Sequence, residues 1–161
     1  MELKTNVMRI LEQKKVPYQS HCYAQTDAVS GVEVAKVLGQ NPDQVFKTLV
    51  TSGASGSYFV FVIPVTKELD LKKAAKSVGE KSVKMLPSKE LLPMTGYIHG
   101  GCSPIGMKKA FRTVIDESAA EQKTIIFSAG KIGYQVELCL ADLGKILRFS
   151  LGNLTMDHTE S

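Results

Sequence analysis

The chain has 161 residues, of which 43% are hydrophobic and 22% charged, and its formal net charge is +4. This length predicts one domain with a buried core, and the composition is typical of a soluble globular protein. The apolar runs are too short to span a membrane and no signal-peptide pattern follows the N-terminus, so we expect a cytoplasmic protein without membrane contact. The small positive charge is compatible with a nucleic-acid partner but does not require one.

Cysteine and histidine are too few and too scattered to indicate a metal centre or a disulfide framework. The three cysteines are an odd number with wide spacing, which argues against both kinds of site. The three histidines are also far apart, and none has a nearby histidine or paired carboxylate. We therefore predict no metal and no cofactor.

The first half of the chain predicts helices and strands in alternation. Ser30 to Glu33 reads Ser-Gly-Val-Glu, a capping-box pattern that begins a helix, and Gly39 is placed to end it. Two runs rich in strand-forming residues flank a small polar loop and predict a hairpin. The predicted helices cover residues 5–15, 30–38 and 70–78, and the predicted strands cover residues 18–23, 45–51, 58–65 and 82–86.

The second half predicts a short helical turn over residues 88–92, stopped by Pro93, and then mainly strands. Those strands cover residues 113–116, 124–128 and 134–140, and a closing helix covers residues 141–147. Strands interleaved with short helices favour an α/β or α+β domain with a mixed sheet, either open or closed. We expect a single domain over residues 1–150 and a polar, disordered C-terminal tail over residues 151–161.

The segment from His99 to Met107 reads His-Gly-Gly-Cys-Ser-Pro-Ile-Gly-Met and has a composition that no hydrophobic core requires. Its glycines let a ligand approach the main chain, and successive free N–H groups in such a turn can hold an anion or a polarised carbonyl. A structural loop that crosses between strands is the other interpretation. The motif by itself leaves both open.

Lys47 is unusual because it stands between Phe46 and Leu49 in a strand that is otherwise apolar or hydroxylic. One interpretation is a lysine on the solvent side of an alternating strand. The other is a lysine that points into a pocket and stabilises a phosphate or a developing oxyanion. Thr48 would then point to the opposite face.

The side chains of the glycine segment do not form a recognisable nucleophilic motif. Cys–His catalysis needs a thiolate held by an oriented imidazole, which the spacing of His99 and Cys102 cannot establish, so we favour neither as a nucleophile. Ser103 lacks the Gly-x-Ser-x-Gly pattern around a serine nucleophile. From the residues alone, the chain has one unusual glycine loop and one unusual lysine, without a defined reaction.

Several segments, in this order, resemble the YbaK/EbsC branch of the prolyl-tRNA editing-domain superfamily. They are Val45–Leu49 (Val-Phe-Lys-Thr-Leu), Tyr58–Pro64, the Gly-Gly-Cys-Ser-Pro-Ile-Gly sequence of residues 100–106, and Phe127–Gly130 (Phe-Ser-Ala-Gly). The resemblance covers roughly residues 3–148. It implies a mixed, barrel-like β-sheet surrounded by short helices.

The resemblance also implies a site. Lys47 would be the essential catalytic lysine, beside a loop whose main chain binds the terminal adenosine and the aminoacyl ester of a tRNA. The substrate-binding residues that it implies are Gly100, Gly101, Cys102, Ser103, Pro104, Ser128 and Gly130, with Tyr23 and Val29 as pocket walls. No metal or cofactor takes part.

Free-standing members of this branch are similar to Cys-tRNA(Pro) deacylases, in which the thiol of the substrate attacks its own ester and no protein nucleophile is required. The partners implied are the aminoacylated 3′ end of tRNA and prolyl-tRNA synthetase, in a ternary complex. Six lysines could form a phosphate-contacting face or simply a solvated one: Lys67, Lys72, Lys73, Lys76, Lys81 and Lys84.

Two alternatives stay open at this point. The first is a deacylase for another mischarged tRNA such as Ala-tRNA(Pro), because sister branches edit alanine on proline tRNA and depend on a histidine in the pocket region, so His99 has an undecided role. The second is a module that binds tRNA or a synthetase without catalysis.

Overall fold

The computed structural model describes residues 3–157, which form two β-sheets with short helices around them. In chain order the elements are α1 (Asn6–Gln13), β1 (Gln19–Cys22), α2 (Gly31–Leu38), a 3-10 turn (Pro42–Gln44), β2 (Phe46–Gly53), β3 (Tyr58–Pro64), α3 (Leu71–Ser77), β4 (Val83–Met85), α4 (Ser88–Thr95), β5 (Arg112–Asp116), a second 3-10 turn (Glu117–Glu121), β6 (Ile125–Ser128), β7 (Tyr134–Leu138), α5 (Leu140–Leu143) and β8 (Ser150–Gly152). This mixture confirms the predicted α+β class.

The expectation of a barrel-like sheet is wrong, because the strands form two separate open sheets. The larger sheet has the order β4-β2-β3-β5-β8, with antiparallel pairing at β2 and parallel pairing of β5 with β3 and β8. The smaller sheet has the antiparallel order β1-β7-β6. An isolated bridge between Val45 and Ile126 connects them, and the end strands β4 and β8 do not pair with each other.

Strand β3 lies at the centre of the larger sheet and is buried on both faces. Val60 and Val62 pack into one apolar cluster, with α1 and the smaller sheet, while Phe59, Phe61 and Ile63 pack into another with α3. Alternating side chains point to opposite faces of a strand, so a strand covered on both sides becomes a continuous apolar run. This run therefore fixes the position of the neighbouring strand β2.

The helix boundaries follow from their capping residues. Thr5 caps α1, and the capping box between Ser30 and Glu33 is present at the start of α2, as predicted. Pro93 does not stop α4 as expected, because it is the sixth of eight residues and removes only one hydrogen bond near the end. The helix ends at the left-handed Gly96 instead. None of the helices within residues 3–157 is long and apolar enough to cross a bilayer.

The predicted division after residue 150 falls inside a strand and does not fit residues 151–157. Strand β8 extends the larger sheet by pairing with β5, and the side chain of Leu154 is completely buried. The backbone N–H of Leu154 also donates a 3.0 Å hydrogen bond to the carboxylate of Asp116. The mainly polar sequence gave no sign that this segment is ordered, because only one of its residues, Leu154, is fully buried. The remaining residues of the predicted tail, 158–161, lie outside the described part of the chain.

We predict that Leu154→Ala destabilises the protein, because it empties a fully buried site in the cluster of β3 and α3. Loss of a buried leucine side chain costs about 2–5 kcal/mol of unfolding free energy. Urea unfolding measures the loss. Leu151→Ala is the matched control, since Leu151 is 43% exposed, and it should change stability by less than about 0.5 kcal/mol. Equal effects of the two substitutions would contradict a structural role for this segment.

Candidate active site

A pocket of about 390 Å³ lies where the start of β2 meets α2, the glycine loop and the end of β6. We call it the Lys47 pocket. It brings together six of the site residues that the family resemblance implies, namely Tyr23, Val29, Lys47, Gly100, Cys102 and Ser128. His99 also lines it. Residues up to about 105 positions apart in the chain therefore meet around one cavity, whose volume lies in the range of ligand sites.

Lys47 supplies the positive charge of the pocket. It is half-buried near the start of β2, opposite Ile63 of β3, and no hydrogen bond or ion pair joins it to any other residue within 3–157. An ammonium group without a neighbouring carboxylate keeps its full attraction for an incoming negative charge. The inward interpretation of this lysine is the one that fits its place in the pocket.

The glycine loop offers backbone donors to the same region. Within residues 3–157 the N–H groups of Gly100, Cys102 and Ser103 have no hydrogen-bond partner, and Cys102 and Ser103 are buried. Buried backbone N–H groups are almost always paired with protein, water or ligand. Of the three, Gly100 and Cys102 line the Lys47 pocket, and free donors of this kind can hold a carbonyl oxygen that becomes negative during a reaction.

The thiol of Cys102 lies in the pocket wall but is poorly suited to nucleophilic attack. Burial raises its pKa to about 12 from an ordinary value of 9.0, which keeps the group protonated near neutral pH. His99 is exposed, and no hydrogen bond joins the two side chains. The geometry thus lacks the thiolate–imidazole contact that a Cys–His dyad needs.

Gly101, Ser103, Pro104 and Gly130 do not line the Lys47 pocket, although the sequence analysis placed them among the substrate-binding residues. Ser103 is fully buried, and its hydroxyl accepts the N–H of Ile105. Pro104 lies in the wall of a second cavity. The other two are glycines at points of close packing.

At Gly101 a Cβ atom would lie 3.1 Å from the backbone nitrogen of Ile132. Gly130 has φ +90°, and a Cβ atom there would lie 2.9 Å from the ring of Tyr97. The hydroxyl of Ser128 accepts the N–H of Gly130 at 3.1 Å. These glycines therefore permit the approach of neighbouring segments to the pocket and do not form its surface.

The outer wall of the pocket is held by backbone contacts. Tyr23 donates its backbone N–H to the carbonyl of Gly133 at 2.7 Å, which ties it to the turn before β7. Val29 precedes α2, and the carboxylate of Glu33 accepts its N–H together with that of Ser30. These hydrogen bonds, that of Ser30 first, hold the pKa of Glu33 below its usual range. The side chain of Val29 is nevertheless 84% exposed at the rim.

Two polar pocket residues were missed in the sequence. The hydroxyl of Thr48 is buried and has no hydrogen-bond partner within residues 3–157, and Thr48 lines the pocket although the strand alternation directs it away from Lys47. Gln135 is buried too, and its side-chain oxygen accepts a 2.8 Å hydrogen bond from Gln40. Threonine is common in strands, so nothing local marked Thr48, whereas a glutamine beside the apolar residues of β7 was a usable signal.

A comparison with protein-family models identifies the family of most of the chain. Residues 26–146 match the family model of the aminoacyl-tRNA editing domain. The chain belongs to this family. The match contains the whole Lys47 pocket except Tyr23, so it covers the candidate site as well as the fold.

Relatives extend this result and confirm the resemblance found in the sequence. The chain is 53% identical over 136 residues to a protein of Enterococcus faecalis named as a candidate Cys-tRNA(Pro)/Cys-tRNA(Cys) deacylase, EbsC, with 84% of this chain and 83% of that protein covered. It is 30% identical over 93 residues, or 58% of this chain, to a proline–tRNA ligase of Pelobacter propionicus. That match spans only 16% of the ligase.

Solved structures share the fold at low sequence identity. One is the crystal structure of a candidate trans-editing enzyme for prolyl tRNA synthetase, with a TM-score of 0.82, 21% identity, and coverage of 96% of this chain and 100% of that one. Another, of a hypothetical protein, has a TM-score of 0.85, 20% identity, and coverage of 94% and 100%. The architecture of two sheets and short helices is therefore shared with these solved structures.

We predict opposite effects on stability for two threonines of β2. Thr48→Val removes a buried hydroxyl that has no partner among residues 3–157, so the unfolding free energy should stay constant or rise. Thr51→Val, the matched control, removes the hydroxyl that donates to the carbonyl of Phe59 at 3.2 Å and should lower it by about 1 kcal/mol. Urea unfolding compares the two. A loss at Thr48 equal to that at Thr51 would show that its hydroxyl has a structural partner.

We predict that Cys102 resists alkylation in the folded protein. With its pKa at about 12, the thiolate fraction at pH 8 is about 1,000-fold below that of a thiol at 9.0. Iodoacetamide labelling of a Cys22→Ser/Cys139→Ser variant, followed by mass spectrometry across pH, isolates this group. Labelling should stay slow until the pH approaches 12, and the urea-unfolded protein, labelled at pH 8, is the control. Rapid labelling of the folded protein at pH 8 would disprove the protonated state.

Proposed function

We propose that this protein is a trans-editing deacylase that cleaves the ester bond of Cys-tRNA(Pro) in the Lys47 pocket. The observation that carries the proposal is the meeting of an unpaired lysine with free loop N–H groups in one cavity of a chain from the aminoacyl-tRNA editing family. The relative at 53% identity is named for the same class of reaction, which supports the choice of cysteine.

The reaction proposed needs no nucleophile from the protein. The sulfur of the esterified cysteine attacks its own carbonyl carbon, a carbon–sulfur bond forms, and the bond to the ribose oxygen breaks. The thiol proton ends on that ribose oxygen, and water then opens the four-membered thiolactone to free cysteine. A nucleophile held against its target supplies several kcal/mol of the barrier reduction, although the strained ring offsets part of it.

Two groups of the pocket have roles in this step. The N–H groups of Gly100 and Cys102 would donate to the carbonyl oxygen as it gains negative charge, and the ammonium of Lys47 would add its electrostatic attraction. Ser128, Tyr23 and Val29 would shape the space around the aminoacyl-adenosine. Alanine and proline esters lack the thiol, so the attack itself selects the substrate.

A protein partner would supply selectivity for the tRNA. The net charge of +4 is small for a protein that binds a whole tRNA without a partner. Proline–tRNA ligases contain a segment similar to this chain. We therefore propose prolyl-tRNA synthetase as the partner that presents the mischarged tRNA. Adding the synthetase should raise the rate on Cys-tRNA(Pro) more than the rate on Cys-tRNA(Cys), and equal effects on both would refute this role.

A panel of mischarged tRNAs tests the proposal. The wild-type protein should release cysteine from Cys-tRNA(Pro) faster than alanine from Ala-tRNA(Pro), measured with radiolabelled amino acid under single-turnover conditions. Lys47→Ala should lower the cysteine rate at least 100-fold, because one preorganised electrostatic contact contributes about that much. Cys102→Ala should keep most of the activity.

Lys123→Ala is the matched control for Lys47→Ala, since Lys123 is exposed before β6 and lies outside the Lys47 pocket. Faster cleavage of the alanine ester would replace cysteine by alanine as the substrate and bring His99 into the mechanism. Salt-dependent tRNA binding without cleavage of any ester would leave a non-catalytic module. Complete loss of activity in Cys102→Ala would restore the protein thiol as nucleophile.

A further inference from the structure

A second cavity, larger than the Lys47 pocket, lies on the other side of the glycine loop. Its volume is about 640 Å³, and its walls come from the segment that follows Pro104 and from the segment between α5 and β8. We call it the Phe149 cavity. The deacylation chemistry described above uses none of its residues. It has room for a nucleobase and its sugar, since ligand sites of this kind measure roughly 300–1,000 Å³.

The charges at this cavity are all positive. Lys109, Arg112 and Arg148 are exposed around it, and its lining contains no Asp or Glu. Arg112 donates to the carbonyl oxygens of Val78 and Ser77 at the end of α3, which holds its guanidinium in place without neutralising it. Lys109 and Arg148 form no ion pair with any residue of 3–157. Three separate cations at a rim suit a chain of phosphates better than a single anionic group.

The walls between these cations are apolar and include two aromatic rings. Phe111 and Phe149 are both half-buried, so part of each ring remains accessible from the cavity. Phe111 packs against Tyr58, with the ring centroids 5.8 Å apart. Aromatic rings combined with a positive rim are the usual means by which proteins bind unpaired nucleotides, through stacking and charge neutralisation.

We propose that the Phe149 cavity binds an unpaired nucleotide of an RNA strand, with the base against Phe149 or Phe111 and the phosphates near Lys109 and Arg148. The inference rests on the proposed function for its choice of RNA: the occupant is a nucleotide upstream of the terminal adenosine, in the single-stranded 3′ end of the tRNA substrate.

The separation of the two cavities fits a short unpaired strand. Lys47 lies four residues before Thr51, which pairs with Phe59 of β3, and Phe59 pairs with Arg112 of β5. Lys47 and Arg112, which line the two cavities, are therefore about 13 Å apart along the strands and about 10 Å apart across two strand spacings, or about 16 Å in all. About five stacked nucleotides cover this distance at about 3.4 Å each, and fewer suffice when the strand is extended.

The first experiment measures, by fluorescence anisotropy, the binding of a labelled RNA tetranucleotide that carries no amino acid. It does not depend on ester cleavage. The charge-reversal variant Lys109→Glu/Arg148→Glu should bind at least about tenfold more weakly than wild type, with a smaller salt dependence. The control Lys14→Glu/Lys123→Glu changes the net charge equally at exposed lysines outside both cavities and should bind within about threefold of wild type. Equal losses in the two variants would overturn the proposal.

A second measurement tests the stacking. Phe149→Leu keeps an apolar side chain but removes the ring, so it should weaken binding of the tetranucleotide about fivefold or more. Its affinity for an abasic strand with the same phosphates should fall less, which a general loss of structure would not produce. An equal loss of affinity for both strands would show that Phe149 does not stack on a base. If Lys109→Glu/Arg148→Glu weakens the binding of an acidic peptide but not the binding of RNA, the cavity is a protein-docking site instead.

Kinetics connect the cavity to the substrate. The preference of the enzyme for Cys-tRNA(Pro) over cysteinyl-adenosine, as a ratio of kcat/KM values, should fall about tenfold in Lys109→Glu/Arg148→Glu, because the small ester cannot reach the second cavity. An unchanged ratio would overturn the role in substrate binding. If wild type cleaves neither ester but the binding results hold, the proposed function fails and the nucleotide site remains.

Discussion

The phenol of Tyr97 is the contact on which the glycine loop depends. Tyr97 is buried, and its hydroxyl donates a hydrogen bond to the backbone carbonyl of Ile105 across the loop. Burial raises the pKa of Tyr97 to about 12, with a smaller effect of the neighbouring Cys102, so the phenol stays protonated and remains a donor near neutral pH. The loop can therefore run through the interior, with residues 101–105 buried, although it forms no regular secondary structure.

The ring of Tyr97 also leaves no space for a side chain at two neighbouring positions. Cβ atoms placed at Gly106 and Gly130 would lie 2.9 Å from the Tyr97 hydroxyl and ring, respectively. The glycine loop and the turn after β6 can approach each other only because both lack a side chain at these points. With the loop fixed in this way, Cys102 faces the Lys47 pocket and Pro104 faces the Phe149 cavity, only two residues further along. One buried segment therefore serves as the wall of both cavities.

This arrangement explains what the sequence could reveal and what it could not. Lys47 was detectable because a lysine in an apolar strand conflicts with its neighbours, and such conflicts mark functional sites. The capping box of α2 and the hairpin of β2 and β3 were detectable from local chemistry alone. The sequence could not show which glycines contact a ligand and which contact a neighbouring segment. At Gly101 and Gly130 this depends on contacts that are distant in sequence. Closure of the sheet depends in the same way on strand pairs that no local pattern specifies.

The proposed chemistry requires the pocket to treat two thiols differently. An electrophilic ester beside Cys102 could acylate the protein, but with a pKa at about 12 that thiol is ionised in only about one molecule in 100,000 at pH 7. The thiol of the substrate would lie in the more open part of the pocket, where the unpaired ammonium of Lys47 favours its ionised form. In the proposed reaction, burial would thus keep the protein thiol protonated, while the charge of Lys47 would favour ionisation of the substrate thiol. A cysteine in the wall of a cysteine-editing pocket is compatible with catalysis for this reason, and its presence there needs no nucleophilic role.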